Sequence, residues 1–214
     1  MTSKLPTVLL TGFEPFAGDA TNPSWEAVRA LDRKCIAGHR VVSVRLPVTF
    51  DGSLDALRKA IAKTHPVLVI CVGLAGSRAA ISLERIAINI KDARIPDNAG
   101  LQPLDEPVVA DAPAAYFSTL PIKAMLRALH DAGIPAEVSQ TAGTYVCNHV
   151  FYGLMHELAA HRKLRGGFIH VPLLAEQDGA SGLTLETLAE GLRIAVETAI
   201  TTATDLRLAA GVED

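Results

Sequence analysis

The sequence predicts an α/β protein, built as a three-layer α/β/α sandwich around a mostly parallel, twisted sheet. Short apolar runs rich in β-branched residues alternate along the chain with longer stretches of helical periodicity. This alternation favours parallel strand pairing, because each helix carries the chain back across the sheet. The 214 residues, 49% of them hydrophobic and 20% charged, suffice for a substantial core. We therefore expect residues 1–214 to form a single domain.

The first half of the chain contains four predicted strands and two predicted helices. The strands are apolar runs bounded by glycine, proline or polar residues, at residues 7–11, 41–46, 67–72 and 81–90. The last of these is long enough to bend. Asn22 opens the first helix, because Pro23 then lies in the first turn, where its missing N–H costs little. The second helix covers residues 51–63.

The second half begins with an irregular segment and then returns to the same alternation. Residues 91–113 contain four prolines and are predicted to form a long loop, of the kind that usually carries function. A helix capped by Ser118 or Thr119 and ending at His130 follows. Strands are predicted at residues 136–140 and 167–171, and helices at residues 146–161 and 183–206.

Composition and missing motifs exclude several classes of function. The net charge of −3 provides no basic stripe for nucleic acid, and no segment resembles a membrane span or a secretory signal. Three widely spaced cysteines do not form a disulfide framework, so a reducing cytoplasm is the expected compartment. No dinucleotide or phosphate-binding motif is present, and the spacing of His156 and His161 misses that of a zinc HExxH helix. We expect no metal and no cofactor.

Cys147 is the strongest candidate for a nucleophile. It follows a glycine-marked turn at Gly143 and lies at the start of a predicted helix, where the helix dipole favours thiolate over thiol. The alternative is a small buried side chain with no chemical role. Cys71, inside an apolar strand, and Cys35, at a predicted helix end near Gly38, are expected to be structural.

A cysteine hydrolase also needs an imidazole that exchanges protons and an acceptor that orients the ring. His170 ends an apolar run, so we expect it at the crevice beyond the strand ends, where α/β proteins place their sites. Arg94 is a candidate for oxyanion stabilisation beside the Cys147 backbone N–H. Ordinary salt bridges are the alternative for these charged residues, for instance between Glu84 and Arg85. The candidates for the acceptor are Glu84, Asp92 and Asp97.

Phe13 and Phe16 are candidates for the wall of a small apolar pocket. Aromatic residues make up only 5% of the chain, yet these two flank Glu14 and Pro15 in the loop after the first strand. The alternative is packing of this loop over the sheet.

Beyond these single residues, nearly the whole chain resembles the pyroglutamyl peptidase I family of cysteine peptidases, also called pyrrolidone-carboxylate peptidases. The resemblance depends on the order and spacing of short blocks: residues 11–16 (TGFEPF), 22–25 (NPSW), 84–89 (ERIAIN), 92–98 (DARIPDN), 143–148 (GTYVCN), 168–172 (FIHVP) and 176–177 (EQ). It implies a phosphorylase/hydrolase-like α/β/α fold and a homotetramer that removes N-terminal pyroglutamyl residues from peptides. It also implies a catalytic triad of Cys147, His170 and Glu84. Arg94 is implied near the reacting carbonyl, with pocket contacts from Phe13, Phe16, Ile95, Tyr145 and Val146.

Three positions depart from the pattern of that family. Ala17 replaces a glycine, and Tyr145 replaces a common phenylalanine, which adds a hydroxyl that needs a partner if it is buried. Leu74 replaces a glutamine whose amide could bind near the pocket. A related amide hydrolase or transferase with another substrate is therefore one alternative. A non-catalytic binding protein that kept the pocket is the other.

Overall fold

The computed structural model describes residues 5–161, 164–178 and 182–211, and in these residues a seven-stranded sheet lies between two layers of helices. The strands are β1 (Thr7–Phe13), β2 (Cys35–Ile36), β3 (His39–Leu46), β4 (Leu68–Leu74), β5 (Ile81–Glu84), β6 (Ile86–Ile88), β7 (Ala115–Phe117), β8 (Ala136–Ser139) and β9 (Arg165–Val171). The helices are α1 (Pro23–Arg29), α2 (Phe50–Thr64), α3 (Ile122–Asp131), α4 (Val146–Ala159), α5 (Ala175–Asp178) and α6 (Leu185–Thr201).

The strand order in the main sheet is β2-β3-β1-β4-β9-β5-β8. The pairs at the centre, β3 with β1, β1 with β4 and β4 with β9, are parallel. Strand β5 runs antiparallel to β9 and parallel to β8, and the short β2 runs antiparallel to β3. The predicted α/β/α sandwich around a mostly parallel sheet is therefore confirmed.

Alternate residues of the central strands face two separate apolar cores. One face, with Leu10, Ile70 and Ile169, packs against α1, α3 and α6. The other face, with Cys71 and Phe168, packs against α2 and α4. Both faces are covered by helices, and this explains why the central strands are continuous apolar runs rather than alternating ones. Among the described residues, no helix has the length and apolarity needed to cross a membrane.

The predicted strand at residues 81–90 is two strands that belong to different sheets. It breaks at Arg85, whose backbone N–H donates to Ser139 O at 2.9 Å and whose carbonyl accepts from Ser118 N at 2.9 Å. After this break β6 pairs with β7 in a separate two-stranded antiparallel sheet. Sequence reasoning missed β7, because three residues after a proline-rich loop carry little periodicity.

Three further boundaries differ from the sequence predictions. Helix α3 begins at Ile122 rather than after Ser118 or Thr119, and the Thr119 hydroxyl instead bonds to the Gly166 backbone. The last helix, α6, ends at Thr201, several residues before the predicted end. Cys35 lies in β2 and not at a helix end.

The N-terminus of α3 is capped by the segment that follows α6. Asp205 accepts hydrogen bonds from the backbone N–H groups of Lys123 and Ala124, at 3.2 and 2.9 Å. These are two of the donors that the first turn of a helix leaves without an intrahelical partner. The local residue at the cap position, Pro121, makes no such side-chain bond. Asp205, more than 80 positions away in the chain, therefore caps the helix that Ser118 or Thr119 was predicted to cap.

We predict that Asp205→Ala lowers the free energy of unfolding by about 1 kcal/mol, because two backbone donors of α3 lose their acceptor. Urea denaturation at neutral pH measures this change. The matched control is Asp131→Ala at the other end of α3, where an exposed carboxylate is unfavourable to the helix dipole. We expect this control to unfold at the wild-type urea concentration or slightly above it, and equal destabilisation by both variants contradicts the capping role.

Candidate active site

The register of β4 and β9 places Cys147 and His170 on one face of the sheet. Gly73 pairs with His170, and partners in a parallel pair point to the same face, about 4.8 Å apart. Cys147, the second residue of α4, has its Sγ only 2.8 Å from the position that a β-carbon on Gly73 would occupy. Because Gly73 has no side chain, the sulfur lies directly against the β4 backbone, next to the strand position that His170 occupies. The register therefore places the two groups on one face, at the carboxyl ends of two central strands.

The antiparallel strand β5 supplies a carboxylate to His170. Ser82 pairs with His170, so Glu84, two residues further on, projects from the same face. The Nδ1 of His170 donates to Oε1 of Glu84 at 2.7 Å. Glu84 is fully buried and His170 is 4% exposed, so water does not weaken this contact. The bond leaves the other ring nitrogen of His170 as the one that can exchange protons.

The two rival carboxylates have other partners. Both carboxylate oxygens of Asp97 accept backbone N–H groups, from Phe50 at 2.8 Å and from Ala99 and Leu101 at 2.8 and 2.9 Å. Asp97 therefore shapes the long loop and anchors it to α2. Asp92 is exposed, and its backbone bonds to Thr144. Of the three candidates, Glu84 is the one that contacts His170.

Arg78 is a charged neighbour of this pair that sequence reasoning missed. Its Nη1 donates to Oε1 of Glu84 at 2.7 Å, and its Nη2 donates to Thr141 O at 2.9 Å. Arg85 was a predicted partner of Glu84, but adjacent strand residues point to opposite faces. Arg85 instead donates to Ala210 O at 3.3 Å. The sequence signal that pointed to Arg78 was its position in the turn before β5, only six residues from Glu84.

The surroundings of Cys147 favour the neutral thiol. The residue keeps part of its surface open to a cavity, but burial of the sulfur raises the pKa of the Cys147 thiol to about 12. The charge of Glu84 and the neighbouring Cys71 raise this pKa further, and Arg78 opposes them. Burial and the charge of Glu84 thus oppose the thiolate that the helix dipole is expected to favour. Attack by this sulfur requires a base that takes its proton.

A cavity of about 180 Å³ opens beside the sulfur. Four of the residues predicted to contact a ligand line it, and so does Leu74. Arg94 and Ile95 are exposed on the long loop and are not among the lining residues, so their contact with a ligand stays a prediction. The lining residues are Phe13, Phe16, Asp19, Asn22, Val48, Leu74, Tyr145, Val146 and Cys147.

Tyr145 connects this cavity to the long loop. Its hydroxyl donates to Pro96 O at 2.9 Å, so the half-buried side chain has a hydrogen-bond partner. Burial and the charge of Asp97 raise the pKa of Tyr145 to about 12, so the hydroxyl remains a donor at neutral pH. The ring packs against Phe16 and Phe50 with centroids 5.5 and 5.4 Å away.

Two other features of the described residues lie apart from this chemistry. A larger cavity, of about 680 Å³, lies near the opposite ends of the strands, where Pro66 and Val67 precede β4. It holds no nucleophile and is lined mainly by apolar side chains. No cluster of three or more histidine, cysteine or acidic side chains that could hold a metal ion occurs among the described residues.

An α/β sandwich that gathers a thiol, an imidazole and a carboxylate at its strand ends has the parts of a cysteine-type hydrolase. A family model described as pyroglutamyl peptidase matches residues 6–202. The pyrrolidone-carboxylate peptidase of Cupriavidus taiwanensis is 58% identical over 209 residues, which cover 95% of this chain and 97% of that protein. Pyrrolidone-carboxylate peptidase 1 of Ralstonia nicotianae is 54% identical, with 97% and 99% covered.

Solved structures agree with these relatives. The crystal structure of pyroglutamyl peptidase I from Bacillus amyloliquefaciens superposes with a TM-score of 0.93 at 47% identity, covering 96% of this chain and all of that one. The pyrrolidone carboxyl peptidase from Thermococcus litoralis superposes with a TM-score of 0.92 at 38% identity. The chain therefore belongs to the pyroglutamyl peptidase family, and it is a cysteine-type hydrolase. The family and the enzyme class that the sequence predicted are confirmed.

We predict that Gly73→Ala lowers turnover about 100-fold while the protein stays folded, because the new methyl group displaces the sulfur. Its β-carbon would lie 2.8 Å from both Cys147 Sγ and the Phe168 ring. The control is Gly76→Ala, whose β-carbon meets Leu173 at an ordinary 3.5 Å. Steady-state kinetics and thermal unfolding of both variants measure the difference. Wild-type turnover in Gly73→Ala contradicts the placement of the sulfur over β4.

His149 generates a prediction about stability and pH. It is 5% exposed, both ring nitrogens lack a hydrogen-bond partner, and burial lowers the pKa of its imidazole from 6.5 to about 4. Between these values the unfolded chain binds a proton that the native protein does not. The free energy of unfolding therefore has its full value above pH 6.5 and decreases as the pH is lowered toward 4. The shift corresponds to about 3 kcal/mol. Urea denaturation from pH 7 to 4 should show a shallower decline for His149→Phe, whereas the exposed control His161→Phe retains the wild-type slope.

Proposed function

We propose that this chain hydrolyses the amide bond after an N-terminal pyroglutamyl residue, using Cys147 as nucleophile, His170 as acid and base, and Glu84 as the group that orients the ring. The observation that carries the proposal is the small cavity that ends on the Cys147 sulfur, beside an imidazole already bonded to a buried carboxylate. The names of the relatives point to the same substrate. Attack on the pyroglutamyl carbonyl gives a thioester, which water then hydrolyses.

The raised pKa of the Cys147 thiol determines the order of the proton transfers. His170 takes the thiol proton while the sulfur attacks, and the bond to Glu84 stabilises the imidazolium that forms. The same imidazolium protonates the leaving amine, and neutral His170 then activates the hydrolytic water. The sulfur thus becomes an anion only as it bonds to carbon, when Glu84 repels it least.

The cavity suits a small neutral lactam. Phe13, Phe16, Tyr145 and Val146 offer apolar contact surface, and the one charged residue of the lining, Asp19, is exposed to solvent. A free N-terminal glutamine or glutamate brings an ammonium group into this space and loses several kcal/mol in desolvation. This cost supplies the discrimination between cyclised and uncyclised N-termini.

The oxyanion of the tetrahedral intermediate falls at the start of α4. The Cys147 N–H lies in the first turn of this helix, among the donors that have no intrahelical acceptor. The helix dipole also stabilises the negative charge of the oxyanion at this end. Arg94, carried by the long loop above the cavity, is the proposed second donor. Loss of one such donor costs roughly 3–4 kcal/mol in the transition state.

The remaining parts of the proposal concern the state of the protein. We infer that residues 1–214 act as one catalytic domain without a cofactor, and that the chain assembles as a homotetramer, as the family resemblance implies. Three free cysteines favour a reducing compartment, so we place the protein in the cytoplasm.

Leu74 supports one alternative. It lines the cavity where an amide side chain could otherwise bind a polar ligand group, so a related hydrolase with another amide substrate remains the second candidate. Pyroglutamyl, prolyl and glutaminyl anilides compared at equal concentration separate the two, because the proposal requires the pyroglutamyl anilide to be cleaved fastest. Turnover of any of them excludes a protein that only binds.

We predict that Cys147→Ser lowers pyroglutamyl-anilide hydrolysis by at least about 1,000-fold, because serine is a much weaker nucleophile with this base. Cys35→Ser and Cys71→Ser are the controls, one exposed on β2 and one buried in β4. Both are expected to stay active. Equal rates in all four proteins refute the proposed nucleophile.

A further inference from the structure

Arg78 has no part in the mechanism above, yet it touches the carboxylate that the mechanism needs. It lies in the turn between β4 and β5, where its backbone N–H donates to Ala75 O at 3.0 Å. Its Nη1 donates to Glu84 Oε1 at 2.7 Å, and this same oxygen accepts from His170 Nδ1 at 2.7 Å. One carboxylate oxygen therefore holds both the guanidinium and the imidazole.

The second arm of Arg78 reaches the segment that carries the nucleophile. Its Nη2 donates to Thr141 O at 2.9 Å, in the turn that leads into α4 and Cys147. The planar guanidinium can hold two acceptors in a fixed relation, which a lysine ammonium on a flexible stem does less well. Arg78 thus ties the carboxylate on β5 to the loop before the sulfur.

Burial makes this contact more than a surface ion pair. The Glu84 side chain has no solvent contact, and its Oε2 has no hydrogen-bond partner, whereas the Arg78 side chain is 23% exposed. A buried carboxylate without a cation is strongly unfavourable. With Arg78 present, the negative charge of Glu84 is balanced both before and after a proton passes from Cys147 to His170.

We propose that Arg78 is a positioning residue, which holds the Glu84 carboxylate against His170 and fixes the turn that delivers Cys147. The proposal rests on the hydrolase function proposed above. It differs from a purely structural ion pair in one measurable respect, because it requires the protonation of Cys147 to depend on Arg78.

The ionisable groups around the sulfur and its cavity are Asp19, Cys71, Arg78, Glu84, Tyr145 and His170. Arg78 is the one cation in this set that stays charged at every relevant pH.

Alkylation tests this dependence without any peptide substrate. The rate of iodoacetamide addition to Cys147, followed by peptide mass, is measured against pH for wild type, Arg78→Gln, Arg78→Lys and Arg85→Gln. Arg78→Gln is expected to slow alkylation near neutral pH about 10-fold, which corresponds to a shift of the profile by about one pH unit upward. Arg78→Lys keeps the charge and should retain the wild-type profile. Arg85→Gln, next to Glu84 in sequence but bonded to Ala210, should also retain it.

Turnover of the pyroglutamyl anilide tests the positioning role. We expect kcat of Arg78→Gln to fall about 10- to 100-fold with KM changed less than about twofold, because Arg78 does not line the cavity. Arg78→Lys should recover part of kcat but not all, since it cannot hold Glu84 and Thr141 together. If Arg78→Gln does not fold, the kcat of Arg78→Lys tests the positioning role.

Two outcomes overturn the inference. One is an alkylation profile of Arg78→Gln that coincides with wild type, whatever its melting temperature. The other is full wild-type kcat in Arg78→Lys, which shows that the tie to Thr141 has no role. A wild-type protein that cleaves no pyroglutamyl substrate refutes the proposed function instead, and the alkylation profiles still test Arg78.

Discussion

The carboxylate of Glu84, which has no contact with solvent, is the feature on which the site depends. A buried charge is tolerated only where other groups bond to it, and here His170 and Arg78 bond to one of its oxygens. The bond to His170 orients the imidazole and links β5 to β9, and the bond to Arg78 balances the carboxylate charge. The sulfur, the ring and the carboxylate come from three elements that meet only when the sheet is complete, so the site exists only in the folded protein.

The reversed direction of β5 makes this arrangement compatible with the fold. In a purely parallel sheet, the last residue of each strand lies at the same edge, so Glu84 would lie at the rim beside Val171, the last residue of β9. Because β5 is antiparallel to β9, it runs from Ser82 beside His170 back toward the middle of β9, and Glu84 lies away from that rim but within reach of the ring. The charge is thereby removed from water, which strengthens its bond to the imidazole.

The same burial that strengthens this bond makes the thiol harder to ionise. The pKa of Cys147 is raised because its sulfur is buried and lies near the charge of Glu84, and both effects oppose the thiolate. In the proposed mechanism a neutral nucleophile is therefore paired with an adjacent base, as in serine hydrolases, rather than with a preformed ion pair. Gly73 contributes by its missing side chain, which lets the sulfur approach the strand.

Much of this could be predicted from the sequence, because the responsible signals are local. Apolar runs and helical periodicity identified the sandwich, and the turn at Gly143 and the strand end at His170 singled out the thiol and the imidazole of the candidate site. The bond of Arg78 to Thr141, the break of the strand at Arg85 and the cap that Asp205 provides for α3 could not be predicted, because each depends on a partner distant in sequence. The sequence alone determined which chemical groups are available and the order in which they occur. Only the tertiary structure decided which of them touch and which lose their water, because strand register and burial are properties of the assembled sheet.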